Sequence, residues 1–213
     1  MIIEHKNRNF KYYIDLNSYS YLQVWAERNN PLVEGLLFEN QLFSDKCEIN
    51  LQTDQKEIRD ICYFTATTNH IKGTMRISLL DKDKKEHFAK NFKFKISQDL
   101  NEKDNFVGGW VITGNSDIPQ EHLNMIRLYC SAFIHINAFM FYGNITDDNH
   151  LKAIKQNDHI FFKIYDDKLY AIPTDKNSIH KSPEGIFSVR GHFRKYKSGK
   201  VVWISEYLKG LNK

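Results

Sequence analysis

Arg190, His192 and Arg194 stand at alternate positions near the C-terminus. Residues two apart in a β-strand share a face, so this spacing sends two guanidiniums and an imidazole to one side. Guanidinium groups hold phosphate or carboxylate through paired hydrogen bonds. An imidazole changes charge near neutral pH and can act as general acid or base. The three together suit an anion site. With catalysis added they suit a metal-independent ribonuclease, with His192 shuttling protons and the arginines stabilising the developing phosphorane charge.

The neighbouring residues extend this stripe. Lys195, Lys197 and Ser198 fall in a short basic turn that closes at Gly199, and Lys200 follows it. Tyr196 or Trp203, where exposed, offers a ring on which a base can stack. Val189 and Phe193 point away from the stripe, toward a core. On the return strand Lys200, Val202 and Ile204 share one face, and Val201 and Trp203 the other. The competing reading is a solubilising hairpin whose aromatics belong to the core and whose charges do nothing further.

Charge is distributed unevenly along the chain. Residues 176–213 hold nine Lys and Arg against two Glu, a balance of +7. The whole chain of 213 residues carries +4, so the first 175 carry −3. A local positive field attracts phosphates or acidic protein surfaces.

These residues need a scaffold, and the rest of the chain can supply one. Aromatic residues make up 14% of it, which permits a large core, while 10 Gly and 4 Pro leave little room for a flexible linker. Residues 10–17 read as an opening strand. A helix follows over 18–28, capped by Ser18 or Ser20, with Leu22, Trp25 and Ala26 on one face. Residues 31–40 suit a short helix or a strand. Strands are predicted over 46–52, 60–68, 72–80, 87–96 and 105–113. A turn is expected at Asn69-His70 and a bulge at Gly108-Gly109. In 87–96, Phe92 and Phe94 face opposite to Lys93 and Lys95. A helix apolar on nearly every side is predicted from Pro119 to Tyr142. Residues 147–157 read as a short helix or turn, and 159–165 and 168–172 as a hairpin turning at Asp166-Asp167. Residues 186–193 and 200–207 form the last hairpin. This pattern predicts an α+β fold: an antiparallel β meander, a long buried helix and a C-terminal basic β-hairpin. It divides into an N-terminal, mainly β region (1–115) and a C-terminal region (116–213), or forms one continuous domain.

Other candidate residues have simpler explanations. His135 and Asn137 interrupt the apolar helix, where a buried, hydrogen-bonded role is expected. Asp147, Asp148, Asn149 and His150 read as a helix cap. Asp158, His159 and Glu184 would complete a site with His192 only if the fold brought them together. Cys47, Cys62 and Cys130 are isolated and fit small hydrophobes in a reducing cytosol; no metal site and no cofactor are expected. The N-terminus forms no apolar signal region, and the apolar run 125–142 contains Arg127. The expectation is a cytoplasmic protein without a membrane span.

The string VRGHFRKYKSGKVVWISEYLKG, beginning at Val189, resembles the C-terminal motif of a family of small proteins from phages, plasmids and other mobile elements. The shared pattern is R-G-H-[FWY]-R, a short basic turn with S-G, then a V-W-[IV] strand and a basic end. One branch looks like a type V-A anti-CRISPR protein. That branch implies depletion of the mRNA of a CRISPR nuclease during translation, through recognition of the emerging peptide. The resemblance covers residues 189–213, and residues 1–115 have no counterpart in that branch. Carried over residue by residue, it points to Arg190, Gly191, His192, Arg194, Ser198, Gly199, Lys200 and Trp203. The expected function is that of a phage-type protein that modulates a bacterial host defence system. It would bind RNA, in preference to DNA, or a defence protein. The rivals are a ribonuclease built on His192, and a phage regulatory or structural protein whose hairpin docks on another subunit.

Overall fold

Alternation of apolar and polar side chains generates the strands, and it is clearest at the start of the chain. The computed structural model describes residues 2–38, 41–52, 58–66, 71–98, 110–113, 118–143, 153, 154, 156–165, 167–174 and 187–209. Strand β1 (Ile2–Asp15) buries Phe10, Tyr12 and Ile14 and leaves Lys11 and Tyr13 half-exposed on the other face. It joins an eight-stranded sheet with β2 (Gln41–Gln52), β3 (Ile58–Ala66), β4 (Ile71–Leu80), β5 (Glu86–Gln98), β6 (Trp110–Thr113), β7 (His159–Tyr165) and β8 (Lys168–Thr174). The strand order is β6-β5-β4-β3-β2-β1-β7-β8. Content is mixed α and β, mostly strand.

One expectation about this sheet needs correction. Strands β2 to β6 pair antiparallel in sequence order, but β1 runs parallel to both β2 and β7. The sheet is therefore mixed, and the meander is confined to 41–113. Parallel neighbours need a long crossover. Between β1 and β2 it is provided by helices α1 (Leu16–Arg28) and α2 (Asn30–Phe38). The cap of α1 is Asp15, whose Oδ1 accepts the Ser18 N–H at 2.7 Å, so neither Ser18 nor Ser20 fills that role. The pairing of β1 with β7 joins strands from both halves of the chain.

Helix α3 (Gln120–Tyr142) lies on one face of the sheet. Ile126, Tyr129, Cys130, Phe133, Ile136 and Phe139 are buried among Phe10, Tyr12, Ile49, Phe64 and Phe162. Phe133 stacks on Phe64 with centroids 4.5 Å apart. Asn137 is explained by its bonds: its Oδ1 accepts the Phe43 N–H at 2.8 Å, and its Nδ2 donates to the Phe133 carbonyl at 2.8 Å. His135 departs from expectation, since its buried Nδ1 has no hydrogen-bond partner among the described residues. The three cysteines are free and buried, and burial pushes their thiols up. No described helix is long and apolar enough to cross a membrane.

Asp60 is a carboxyl inside this core. It is 6% exposed on β3, and the Tyr129 hydroxyl of α3 lies 2.8 Å from its Oδ2. Burial raises its pKa, with the Tyr129 hydrogen bond pulling the other way. The unfolded chain therefore ionises here first, and stability falls as pH rises above about 4. Asp60→Asn keeps an acceptor for Tyr129 and removes the ionisation. It is expected to raise Tm at neutral pH, with the gain closing below about pH 4. Thermal unfolding at the two pH values checks this, and a gain independent of pH would show another cause.

The chain ends in two short antiparallel pairs. Strand β9 (Phe187–Val189) pairs with β12 (Tyr207–Lys209), and β10 (His192–Lys195) with β11 (Val201–Ile204). The strands expected over 186–193 and 200–207 are each split in two. Asn69-His70, Gly108-Gly109, the cluster Asp147 to His150, Asp166 and Glu184 lie outside the described residues.

Candidate nucleic-acid interface

The pair β10–β11 has two unlike faces, set by register. Phe193 lies opposite Trp203 and Lys195 opposite Val201, while His192 faces Ile204 and Arg194 faces Val202. The Phe193 and Trp203 rings meet edge to face at 5.0 Å. Phe193 also packs on Tyr170 at 4.6 Å and reaches Tyr165 at 6.2 Å. Both tyrosines sit on the face of the sheet opposite α3, because Phe162 and Ala171, at the intervening positions, are buried in the core. These aromatic contacts fix the pair on the β7–β8 end of the sheet.

The turn between the strands is tight. Tyr196 N–H donates to the Lys200 carbonyl, and Gly199 N–H to the Tyr196 carbonyl, each at 2.9 Å. Gly199 has φ +81, a left-handed value that glycine adopts without strain. Every residue from Arg194 to Lys200 is exposed. The Arg194 guanidinium lies over the Tyr196 ring at 5.3 Å, a cation–π contact. Arg194, Lys197 and Lys200 form no ion pair among the described residues.

The other candidates are placed differently. Arg190 is not in β10. It lies in the break before that strand and lines a hollow of about 270 Å³ with Asn157, Thr174, Gly191, Trp203 and Glu206. Strand alternation therefore aligns His192 with Arg194 and leaves Arg190 apart. The His192 Nδ1 is 2.9 Å from the Arg190 carbonyl. A carbonyl only accepts, so Nδ1 carries the proton and Nε2 is the basic nitrogen.

Trp203 corrects the reading of it as a stacking platform. It is 4% exposed, covered by Phe193 and by the backbone of Gly191. A Cβ on Gly191 would sit 2.4 Å from the Trp203 ring, so the ring occupies space that only glycine leaves open. Trp203 anchors the pair from inside. Tyr196, at 42% exposure, is the ring available to a ligand.

Asp158 and His159 are engaged with β1. Arg8 donates to Asp158 Oδ1 at 2.9 Å from Nε, and the Tyr13 hydroxyl lies 3.2 Å from His159 Nδ1. Among the described residues no group of three or more His, Cys, Asp or Glu could hold a metal ion. A larger hollow of about 780 Å³, lined by Tyr21, Val24, Trp25, Arg28, Phe139 and Leu169, is mainly apolar and contains none of the candidate residues.

A second set of cations was not singled out by the sequence. Lys72, Lys93 and Lys95 line an open hollow with Tyr63, Thr65 and Thr74 on β3–β5. The available signal was the facing of Lys93 and Lys95 away from Phe92 and Phe94. The pairing that brings Lys72 opposite Lys95 is a matter of register. No family model matches the chain, and no curated protein or solved structure matches it either.

Proposed function

We infer that this chain binds RNA through its basic C-terminal turn. One observation carries the reading: Arg194, Lys197 and Lys200 are exposed on and beside one tight turn, next to the accessible Tyr196 ring. Cations of this kind track a phosphate backbone, and the ring accepts a base. Lys195 ends β10, exposed on the strand face opposite Arg194, and Ser198 adds a hydroxyl in the turn itself. Phe193 and Trp203 position the turn from behind.

The resemblance of residues 189–213 to the mobile-element motif supports a wider form of this reading. In it the chain is a phage-type protein acting in the cytoplasm of a bacterial host, where it binds RNA to blunt a host defence system. A defence protein as the direct partner is the alternative target.

The test is salt-dependent binding to single-stranded RNA by fluorescence anisotropy. Arg194→Glu/Lys197→Glu/Lys200→Glu is expected to weaken binding by about tenfold or more and to flatten the salt dependence by about 2 in slope. Unchanged affinity in a folded variant rules out the turn as the RNA contact.

A second reading has an observation of its own. The bond from His192 Nδ1 to the Arg190 carbonyl leaves Nε2 as the nitrogen able to take a proton, as a ribonuclease base requires. His192→Ala would then abolish RNA cleavage while leaving the protein folded. A wild-type chain that never cleaves RNA, with or without added metal, eliminates that reading.

A further inference from the structure

The face of the sheet opposite α3 carries its own concentration of positive charge, far in sequence from the C-terminal turn. Register places Lys72 of β4 directly opposite Lys95 of β5, and Thr74 opposite Lys93. On the next strand Thr65 pairs with Lys72 and Tyr63 with Thr74. Lys46 of β2 pairs with Thr65, and Glu48 with Tyr63. Two cross-strand rows result, one holding Lys46, Thr65, Lys72 and Lys95, the other Glu48, Tyr63, Thr74 and Lys93. The hollow they form between β3 and β5 measures about 550 Å³. Lys46, Lys72, Lys93 and Lys95 are all exposed.

Like charges directly opposite on paired strands weaken a sheet. Among the described residues, Glu48 pairs with Lys11 at 3.5 Å and Glu86 with Arg76 and Arg59, so neither neutralises the Lys72–Lys95 pair. No carboxylate among the described residues lines the hollow. Solvent-facing positions of an antiparallel sheet accept any polar residue, so folding alone does not call for lysine at each of these sites. Tyr63 stands among them with 37% of its surface exposed, so part of its ring is open to a ligand. A ring framed by cations on an open sheet is an arrangement that holds unpaired bases: the cations track phosphates and the ring takes a base.

We propose that this strip binds single-stranded nucleic acid, with Lys46, Lys72, Lys93 and Lys95 on the phosphates and Tyr63 stacked on a base. The inference rests on the nucleic-acid reading above, and it adds a surface and a strandedness to it. Paired bases in a duplex are not available to Tyr63. The C-terminal turn and the strip belong to one face of the sheet, since Phe193 rests on Tyr165 and Tyr170 there. From β5 to β8 there are six strand spacings, about 29 Å at ~4.8 Å each. One extended strand of nucleic acid laid across the sheet can reach both.

Anisotropy of a fluorescein-labelled oligouridylate with the full chain tests this. Lys72→Glu/Lys93→Glu/Lys95→Glu replaces one like-charge cluster by another, so the repulsion within the sheet is retained, and thermal unfolding checks the fold. The expected result is a loss of affinity of about tenfold or more and a salt slope shallower by about 2. Tyr63→Ala is expected to lose about tenfold with the salt slope unchanged, and it serves with Lys72→Gln if the triple variant does not fold. A folded triple variant with wild-type affinity and slope overturns the proposal. So does duplex RNA held as tightly as the single strand, or a wild-type chain that ignores oligouridylate at low salt. Measured in parallel, the variant reversed at Arg194, Lys197 and Lys200 separates the two surfaces. Loss confined to the strip variant leaves this proposal standing and removes the turn; loss confined to the turn variant does the reverse.

Discussion

Gly73→Ala is expected to destabilise the fold by about 2–3 kcal/mol, although alanine is the better strand residue by up to about 1 kcal/mol. The reason is the Phe94 ring. Gly73 on β4 lies between Phe64 and Phe94 in register, and all three face the core. A Cβ built on Gly73 would lie 2.1, 2.2 and 2.7 Å from the three carbons at the far end of the Phe94 ring, so the ring occupies the space beside the glycine. Phe94 is 3% exposed and meets Phe64 edge to face at 6.0 Å, while Phe64 is stacked on Phe133 of α3. Displacing one ring therefore disturbs the helix contact as well. Urea unfolding of Gly73→Ala alone and in a Phe94→Ala background checks the cause. With the ring absent, the substitution is expected to be neutral or favourable. An equal cost in both backgrounds would falsify the packing explanation and leave a backbone one.

That glycine also shows where sequence reading stops. Alternation in 87–96 set Phe92 and Phe94 on the face opposite Lys93 and Lys95, because it depends only on the strand's own period. What a residue meets across the strand is a property of register, which no single strand contains. The seating of Phe94 on Gly73 and the meeting of Lys72 with Lys95 were invisible for this one reason. Direction was hidden too. The apolar run in β1 reads the same whether its neighbours are parallel or antiparallel, and the crossover through α1 and α2 decided it.

The candidate site was legible to a similar depth. Its cationic turn could be read from composition and from the Ser198-Gly199 pair, because exposure is the default for such residues. The assignment of Arg190 to the stripe failed because the alternation rule assumes an unbroken strand. The chain breaks at Arg190 and Gly191, where the Trp203 ring packs against the glycine. The same contact turned Trp203 from a candidate ligand platform into an internal anchor. A tryptophan among lysines is ambiguous in sequence; its neighbours in space remove the ambiguity.

His135 gives the second large expected effect, and its sign is fixed by burial. The imidazole sits in α3, where desolvation lowers its pKa from 6.5 to about 4. No hydrogen bond to Nδ1 from the described residues offsets that. The folded chain keeps this histidine neutral in mild acid, while the unfolded chain protonates it. Between those two values the unfolded state binds more protons, so stability falls as pH falls, by up to about 3 kcal/mol across the window. Below about pH 4 both states are protonated and the loss stops growing. Asp60 acts in the opposite sense over an overlapping range, since its raised pKa makes the fold less stable as pH rises. The two partly cancel in the wild-type profile, so the histidine must be isolated by difference. His135→Leu has no proton to gain. Its stability relative to wild type is expected to improve steadily as pH is lowered from 6.5 to about 4, by up to about 3 kcal/mol, and to be level above that window. Urea unfolding of both proteins across the range measures this directly. A constant difference at every pH would mean that the imidazole gains its proton inside the fold as easily as outside it. The neutral, buried histidine in α3 would then have to be abandoned.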